Sequence, residues 1–143
     1  MSDDLEARLY TCLASRAWAR EVASGEPADE AMDRLTDEEW LDAMKAHPRI
    51  GERGGEAPNS SEREQGRAMQ ASAATLTALA AENRRYEERF GHVFLIFASG
   101  RSGEEILSEL RRRMDNDPAA ELEEAKRELR KIALMRLRSL VIA

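Results

Sequence analysis

The chain has 143 residues and carries 22 Lys and Arg against 28 Asp and Glu, a formal charge of −6; that length suits one domain, and an acidic balance argues against a nucleic-acid partner. One cysteine, Cys12, excludes an internal disulfide framework and a multi-cysteine zinc site, and two histidines, His47 and His92, leave little for a histidine metal site. No apolar run reaches the ~18 residues of a membrane span, and the acidic Met1-Ser2-Asp3-Asp4 start lacks the apolar stretch of a signal peptide, so a cytoplasmic protein is expected.

Leu, Ile, Val and Phe contribute 26 residues and Ala another 23, whereas Val, Ile and Thr total only 12. Few β-formers in an Ala/Leu/Glu/Arg chain predict an all-α fold, a single multi-helix domain over residues 1–143. Leu5, Leu9, Cys12, Leu13 and Ala17 recur at helical spacing and Trp18 follows, which predicts one helix from about Asp3 to Val22. Gly25-Glu26-Pro27 breaks it, and a short helix through Met32 to Leu35 follows. Thr36-Asp37-Glu38-Glu39 is a capping box opening a helix with Trp40, Leu41 and Met44, which must end before Pro48. From His47 to Ser60 three glycines and two prolines make a loop too long for a simple connector.

Ser61-Glu62-Arg63-Glu64 is a second capping box, starting a long helix through Ala68, Ala71, Leu76 and Leu79, with helix continuing toward Phe90. Val93 to Ala98 is the most apolar run, bounded by Gly91 and Gly100. Its periodicity does not separate strand from buried helix, and a short buried segment with irregular backbone is expected. Ser102-Gly103-Glu104-Glu105 is a third box, leading a helix with Ile106, Leu107, Leu110 and Met114. Asn116-Asp117-Pro118 ends that helix and starts the last, whose stripe holds Leu122, Ala125, Leu129, Ile132, Ala133, Arg136 and Leu140.

Each candidate for chemistry also has a plain structural explanation. His47 suits a helix C-terminus before a stop proline. Glu64 completes a capping box, the apolar run suits a core, and Arg136 can reach the surface along its stem. In combination, a histidine-bearing loop leads to a helix N-terminus carrying Glu64 and Gln65, which favours a polar or anionic ligand. Phosphate-loop, dinucleotide, nucleophile-elbow and zinc-ligand patterns are absent. The available chemistry is proton transfer by one histidine, orientation by a carboxylate and an amide, and charge pairing by arginine.

The motifs resemble those of a known family. His47-Pro48-Arg49-Ile50-Gly51 is similar to the His-Pro-x-Ile-Gly signature of the 2-oxo-4-hydroxy-4-carboxy-5-ureidoimidazoline (OHCU) decarboxylases. Ser61 to Gln65 resembles their Ser-x-x-Glu-Gln motif, Phe90 to Ser102 their glycine-bounded apolar segment, and Cys12 to Ala19 their Cys-x-x-Ser-x-x-Trp-Ala. The resemblance runs in order along nearly the whole chain. Departures are Gly25-Glu26-Pro27, where a basic residue often precedes the proline, and His92 and Phe97, at positions where apolar residues or cysteine are common.

The resemblance implies decarboxylation of OHCU to (S)-allantoin, the last step from urate, by a carboxy-lyase with no cofactor and no metal. The substrate carries its carboxylate beside a C=N unit that can receive the electrons. It assigns His47 as general acid/base with Glu64 beside it in the catalytic set. Glu64 and Gln65 bind the ureido and ring N–H groups, while Pro48 and the surroundings of Ser61 offer backbone contacts. Ile96, Phe97 and Ala98 line the pocket and donate backbone hydrogen bonds to a ring carbonyl, and Arg136 pairs with the substrate carboxylate or with Glu64. The partner expected is a small-molecule ureidoimidazoline carboxylate, with no nucleic acid and no membrane, and a homodimer stays open. The alternatives are a non-enzymatic helical interaction module, and a same-fold enzyme for a related ureido or purine-derived acid.

Overall fold

The computed structural model describes residues 2–47 and 71–142, and every regular element in them is an α-helix. The helices are α1 (Ser2–Cys12), α2 (Arg16–Ala23), α3 (Ala28–Asp33), α4 (Asp37–Lys45), α5 (Ala73–Phe90), α6 (Gly103–Arg113) and α7 (Pro118–Ile142). The fold is all-α, as composition predicts. No helix among the described residues is long and apolar enough to cross a membrane.

The single helix expected over residues 3–22 is instead two. Ser15 adopts an extended conformation, with φ −134° and ψ 116°, and its side chain accepts the Trp18 N–H, capping α2. Its own N–H turns back to the Leu13 carbonyl at 2.8 Å. The apolar spacing conceals this break because Leu9, Cys12, Leu13 and Trp18 all enter one core on either side of it. The next helix lies a little earlier than expected and stops at Asp33, before Leu35. The indole N–H of Trp18 donates to the Ala28 carbonyl at 3.1 Å and ties α2 to the start of α3.

The capping boxes at Thr36 and Ser102 form, each side chain and its partner Glu39 or Glu105 satisfying one another's backbone N–H groups. The Ser61 box lies outside the described residues. Within them the helix carrying Leu76 and Leu79 begins at Ala73, with Ser72 as its cap, so Ala71 precedes it. Gly91 ends α5 in the left-handed region at φ 81°, a conformation open to glycine without a Cβ clash. Asp117 caps α7 by accepting the Ala120 N–H at 2.9 Å.

Two apolar clusters form the interior. The first joins α1 to α4 and α7 through Leu9, Trp18, Met32, Trp40, Met44 and Leu129. The second joins α5 and α6 through Leu79, Tyr86, Ile106 and Leu110. The apolar segment after Gly91 lies between them and is neither helix nor strand. Val93 and Leu95 enter the first cluster, whereas Phe94, Ile96 and Ala98 enter the second. That two-residue alternation is the signature of extended backbone.

A buried ionic group anchors the second cluster. Arg113 and Glu121 are 1% and 0% exposed, and the Arg113 Nε donates to Glu121 Oε2 at 2.9 Å. The Tyr86 hydroxyl donates to the same carboxylate, and Asn116 Nδ2 reaches its other oxygen at 3.0 Å. Burial, and then the bond to Glu121, push the Tyr86 phenol well above its usual pKa. The guanidinium lies 4.5 Å over the Phe94 ring, a favourable cation–π placement.

Candidate active site

The site is built from the C-terminal ends of α1 and α4, the C-terminal half of α7 and the extended segment. Trp40, Ala43 and Met44 bury one face of α4 in the first core. The helix closes at Ala46, and the His47 N–H returns to the Met44 carbonyl at 3.1 Å. His47 is thus a helix-end residue, as its capping explanation holds, yet its side chain turns inward. Its Nε2 is fully enclosed and has no hydrogen-bond partner among the described residues. Burial, and then the positive charge of Arg136, hold the imidazole down at about 4. It is neutral at pH 7.

Arg136 projects from α7 and donates from Nη1 to the Thr11 carbonyl at 3.4 Å, in the last turn of α1. A cation at a helix C-terminus meets the negative end of the helix dipole. Its field also reaches Cys12, whose thiol burial pushes up while Arg136, Thr11 and Arg8 pull it down. The charge of Arg136 thus acts on both His47 and Cys12. Pro48, Ser61, Glu64 and Gln65 lie outside the described residues.

Ile96 and Ala98 are buried at 3% and 4% exposure, and Phe97 is partly buried. The Phe97 N–H is engaged by Glu128 Oε1 at 2.8 Å, and the Phe97 carbonyl accepts from Arg101 Nε at 3.1 Å. Arg113 Nη1 donates to the Leu95 carbonyl at 2.7 Å. Among the described residues no hydrogen bond reaches the N–H of Ile96 or Ala98. Of the three residues expected to offer backbone donors, these two have theirs available.

A cavity of about 510 Å³ opens between α4 and the end of α5, lined by Leu41, Met44, Lys45, Glu87, His92 and Val93 among others. Of the expected site residues among the described ones, His47, Ile96, Phe97, Ala98 and Arg136, none lines it. His92, one of the departures noted above, packs its ring 5.6 Å from Tyr86 and sits on that wall. Among the described residues no group of three or more His, Cys, Asp or Glu side chains is placed to hold a metal ion.

Glu128 and Arg113 escaped the sequence reading, although a signal existed. Glu128 falls on the α7 stripe beside Ala125, Leu129 and Ile132, and Arg113 continues the Ile106–Leu110 stripe of α6. A charge on an apolar stripe needs a partner; Arg113 finds the Glu121 carboxylate and the Leu95 carbonyl, and Glu128 finds the Phe97 N–H and the Lys131 ammonium.

Known proteins place the chain. It is 35% identical to the uric acid degradation bifunctional protein TTL of Arabidopsis thaliana, over 90% of this chain and 45% of that one. It is 42% identical to the 2-oxo-4-hydroxy-4-carboxy-5-ureidoimidazoline decarboxylase of Amia calva, over 41% of this chain and 34% of the relative. The matches thus span less than half the length of these two relatives. A crystal structure of OHCU decarboxylase in the presence of (S)-allantoin superposes with a TM-score of 0.79 at 31% identity, covering 94% of this chain and 96% of the other. The OHCU decarboxylase family model matches residues 1–138, and with that match across nearly its whole length the chain belongs to the OHCU decarboxylase family.

Proposed function

We propose that this chain, as one domain over residues 1–143, decarboxylates OHCU to (S)-allantoin without a cofactor. The observation that carries this reading is the enclosed Nε2 of His47, without a hydrogen-bond partner among the described residues, on an imidazole that burial and the charge of Arg136 keep neutral. The substrate holds a hydroxyl and a carboxylate on a carbon next to a C=N unit. As the C–C bond to CO₂ breaks, its electron pair moves into that unit. The protein's task is orientation and proton movement.

A neutral imidazole is a base, so His47 accepts the hydroxyl proton as the ring carbonyl forms. The same imidazole then returns a proton to one face of the carbon that becomes stereogenic in allantoin. The second proton needed, on the ring nitrogen, comes from solvent. Arg136 pairs with the carboxylate before it leaves, and the N–H groups of Ile96 and Ala98 hold a ring carbonyl. Pro48, Ser61, Glu64 and Gln65 take the roles that family likeness gives them, with Glu64 and Gln65 meeting the ureido and ring N–H groups. A cytoplasmic setting belongs to the same reading, and light scattering decides between monomer and homodimer.

The test is circular dichroism of freshly generated OHCU with and without the protein. Acceleration of the (S)-allantoin signal supports the reading, and an unchanged rate overturns it. A rise in melting temperature with (S)-allantoin gives a second, binding-only measure.

A further inference from the structure

Three consecutive peptide planes of the extended segment are each gripped by one side chain. Arg113 holds the Leu95 carbonyl at 2.7 Å, Glu128 holds the Phe97 N–H at 2.8 Å, and Arg101 holds the Phe97 carbonyl at 3.1 Å. In a trans peptide the N–H and C=O point in opposite directions. Fixing the Leu95 carbonyl therefore aims the Ile96 N–H the other way, and fixing the Phe97 carbonyl does the same for the Ala98 N–H. Fixing the Phe97 N–H aims the Ile96 carbonyl to that same far edge. The far edge then presents donor, acceptor and donor in sequence, which suits a ureide whose own N–H and C=O groups alternate. Side chains occupy the near edge where a neighbouring strand would otherwise lie.

Glu128 is the one member that takes an N–H, and its own placement is costly. Its side chain is nearly buried on the α7 stripe, where an ionised carboxylate survives only if its oxygens are bonded. Oε1 takes the Phe97 N–H, and Oε2 takes the Lys131 ammonium at 2.6 Å. The same helix carries Arg136 eight residues on, about 12 Å along the axis, so the backbone edge and the cation are set by one rigid element.

We infer that Glu128 is a positioning residue, acting through the Phe97 amide to set the angle at which Ile96 and Ala98 meet the ligand. The inference rests on the proposed function. Two variants separate reach from charge. Glu128→Gln keeps an acceptor oxygen at the same distance and removes the charge, whereas Glu128→Asp keeps the charge and withdraws the acceptor by one methylene. With both variants confirmed folded by their melting curves, kcat/KM for fresh OHCU and the (S)-allantoin dissociation constant are measured.

Positioning predicts Glu128→Gln within about threefold of wild type and Glu128→Asp slower by about 10- to 100-fold, the cost of sub-ångström to 1 Å misplacement. The amide resonances of Ile96 and Ala98 shift on adding (S)-allantoin in the wild type and in Glu128→Gln, and lose that response in Glu128→Asp. A purely electrostatic or structural role reverses or equalises the two variants. Wild-type activity in Glu128→Asp, or equal losses in both, overturns the inference alone. An inactive wild type overturns the proposed function first and the inference with it.

Discussion

His47 and Arg136, from the end of α4 and the C-terminal half of α7, place an imidazole where a guanidinium opposes its protonation. Burial is the larger cause and the charge of Arg136 the second, and both favour the neutral ring. Four expectations follow from this pair and from the interior around it.

The first concerns stability against pH. The His47 pKa falls from 6.5 to about 4 on folding, so between those values the unfolded chain binds a proton that the folded chain refuses. Stability from this group is complete above pH 6.5 and is lost as pH falls toward 4, by up to about 1.4 kcal/mol per pH unit. Urea unfolding at pH 7, 6 and 5 measures it, and in His47→Asn this part of the slope disappears.

The second concerns rate. Asparagine can still end a helix, so His47→Asn stays folded. As the proton-transfer group, His47 is worth about 10²–10⁴ in rate. Decarboxylation by the variant is expected to fall by that factor with little change in melting temperature. In the wild type, the acid limb of kcat/KM is expected near pH 4, where the free imidazole titrates, and not near 6.5.

The third concerns Arg136. Arg136→Gln removes the smaller of the two causes, so the His47 pKa rises but remains below 6.5, as an NMR titration of the imidazole can follow. The substrate carboxylate loses its cation. A charged hydrogen bond of about 1.5–3 kcal/mol corresponds to a KM increase of roughly ten- to a hundredfold.

The fourth concerns the buried pair in the second core. Glu121→Ala leaves the Arg113 guanidinium, 1% exposed, without its carboxylate. Stranding one member of such a pair costs about 3–5 kcal/mol, readable as a lower urea midpoint. Because Arg113 also holds the Leu95 carbonyl, (S)-allantoin affinity should fall in the fraction that stays folded.

Local chemistry made much of the fold legible. Thr36 with Glu39 and Ser102 with Glu105 announce their helices because a capping box is complete within four residues. Ser15 and Ser72 cap helices equally well, but Trp18 and Thr75 stand where a box would have Glu, so neither gives a box signal. The site divides in the same way. His47 and Arg136 are visible as a histidine beside a proline and a charge on an apolar stripe. Glu128 meets Phe97 across 31 residues and Tyr86 meets Glu121 across 35. Such pairings are set by how α7 lies on the rest of the chain, and no short-range spacing encodes them.

The division of the interior into two clusters has a spectroscopic consequence. Both tryptophans, Trp18 and Trp40, belong to the first cluster, and the aromatics of the second are Tyr86 and Phe94 with Phe90 packed against them. Indole emission therefore reports the α1–α4 and α7 side alone, while far-ultraviolet ellipticity sums over all the helices. The Val93–Ala98 segment feeds side chains into both clusters and is their common wall. Fluorescence and ellipticity should accordingly trace one coincident denaturation curve. Loosening that wall, as Glu121→Ala does from the far side, is the change that should pull the two curves apart, with ellipticity leading emission.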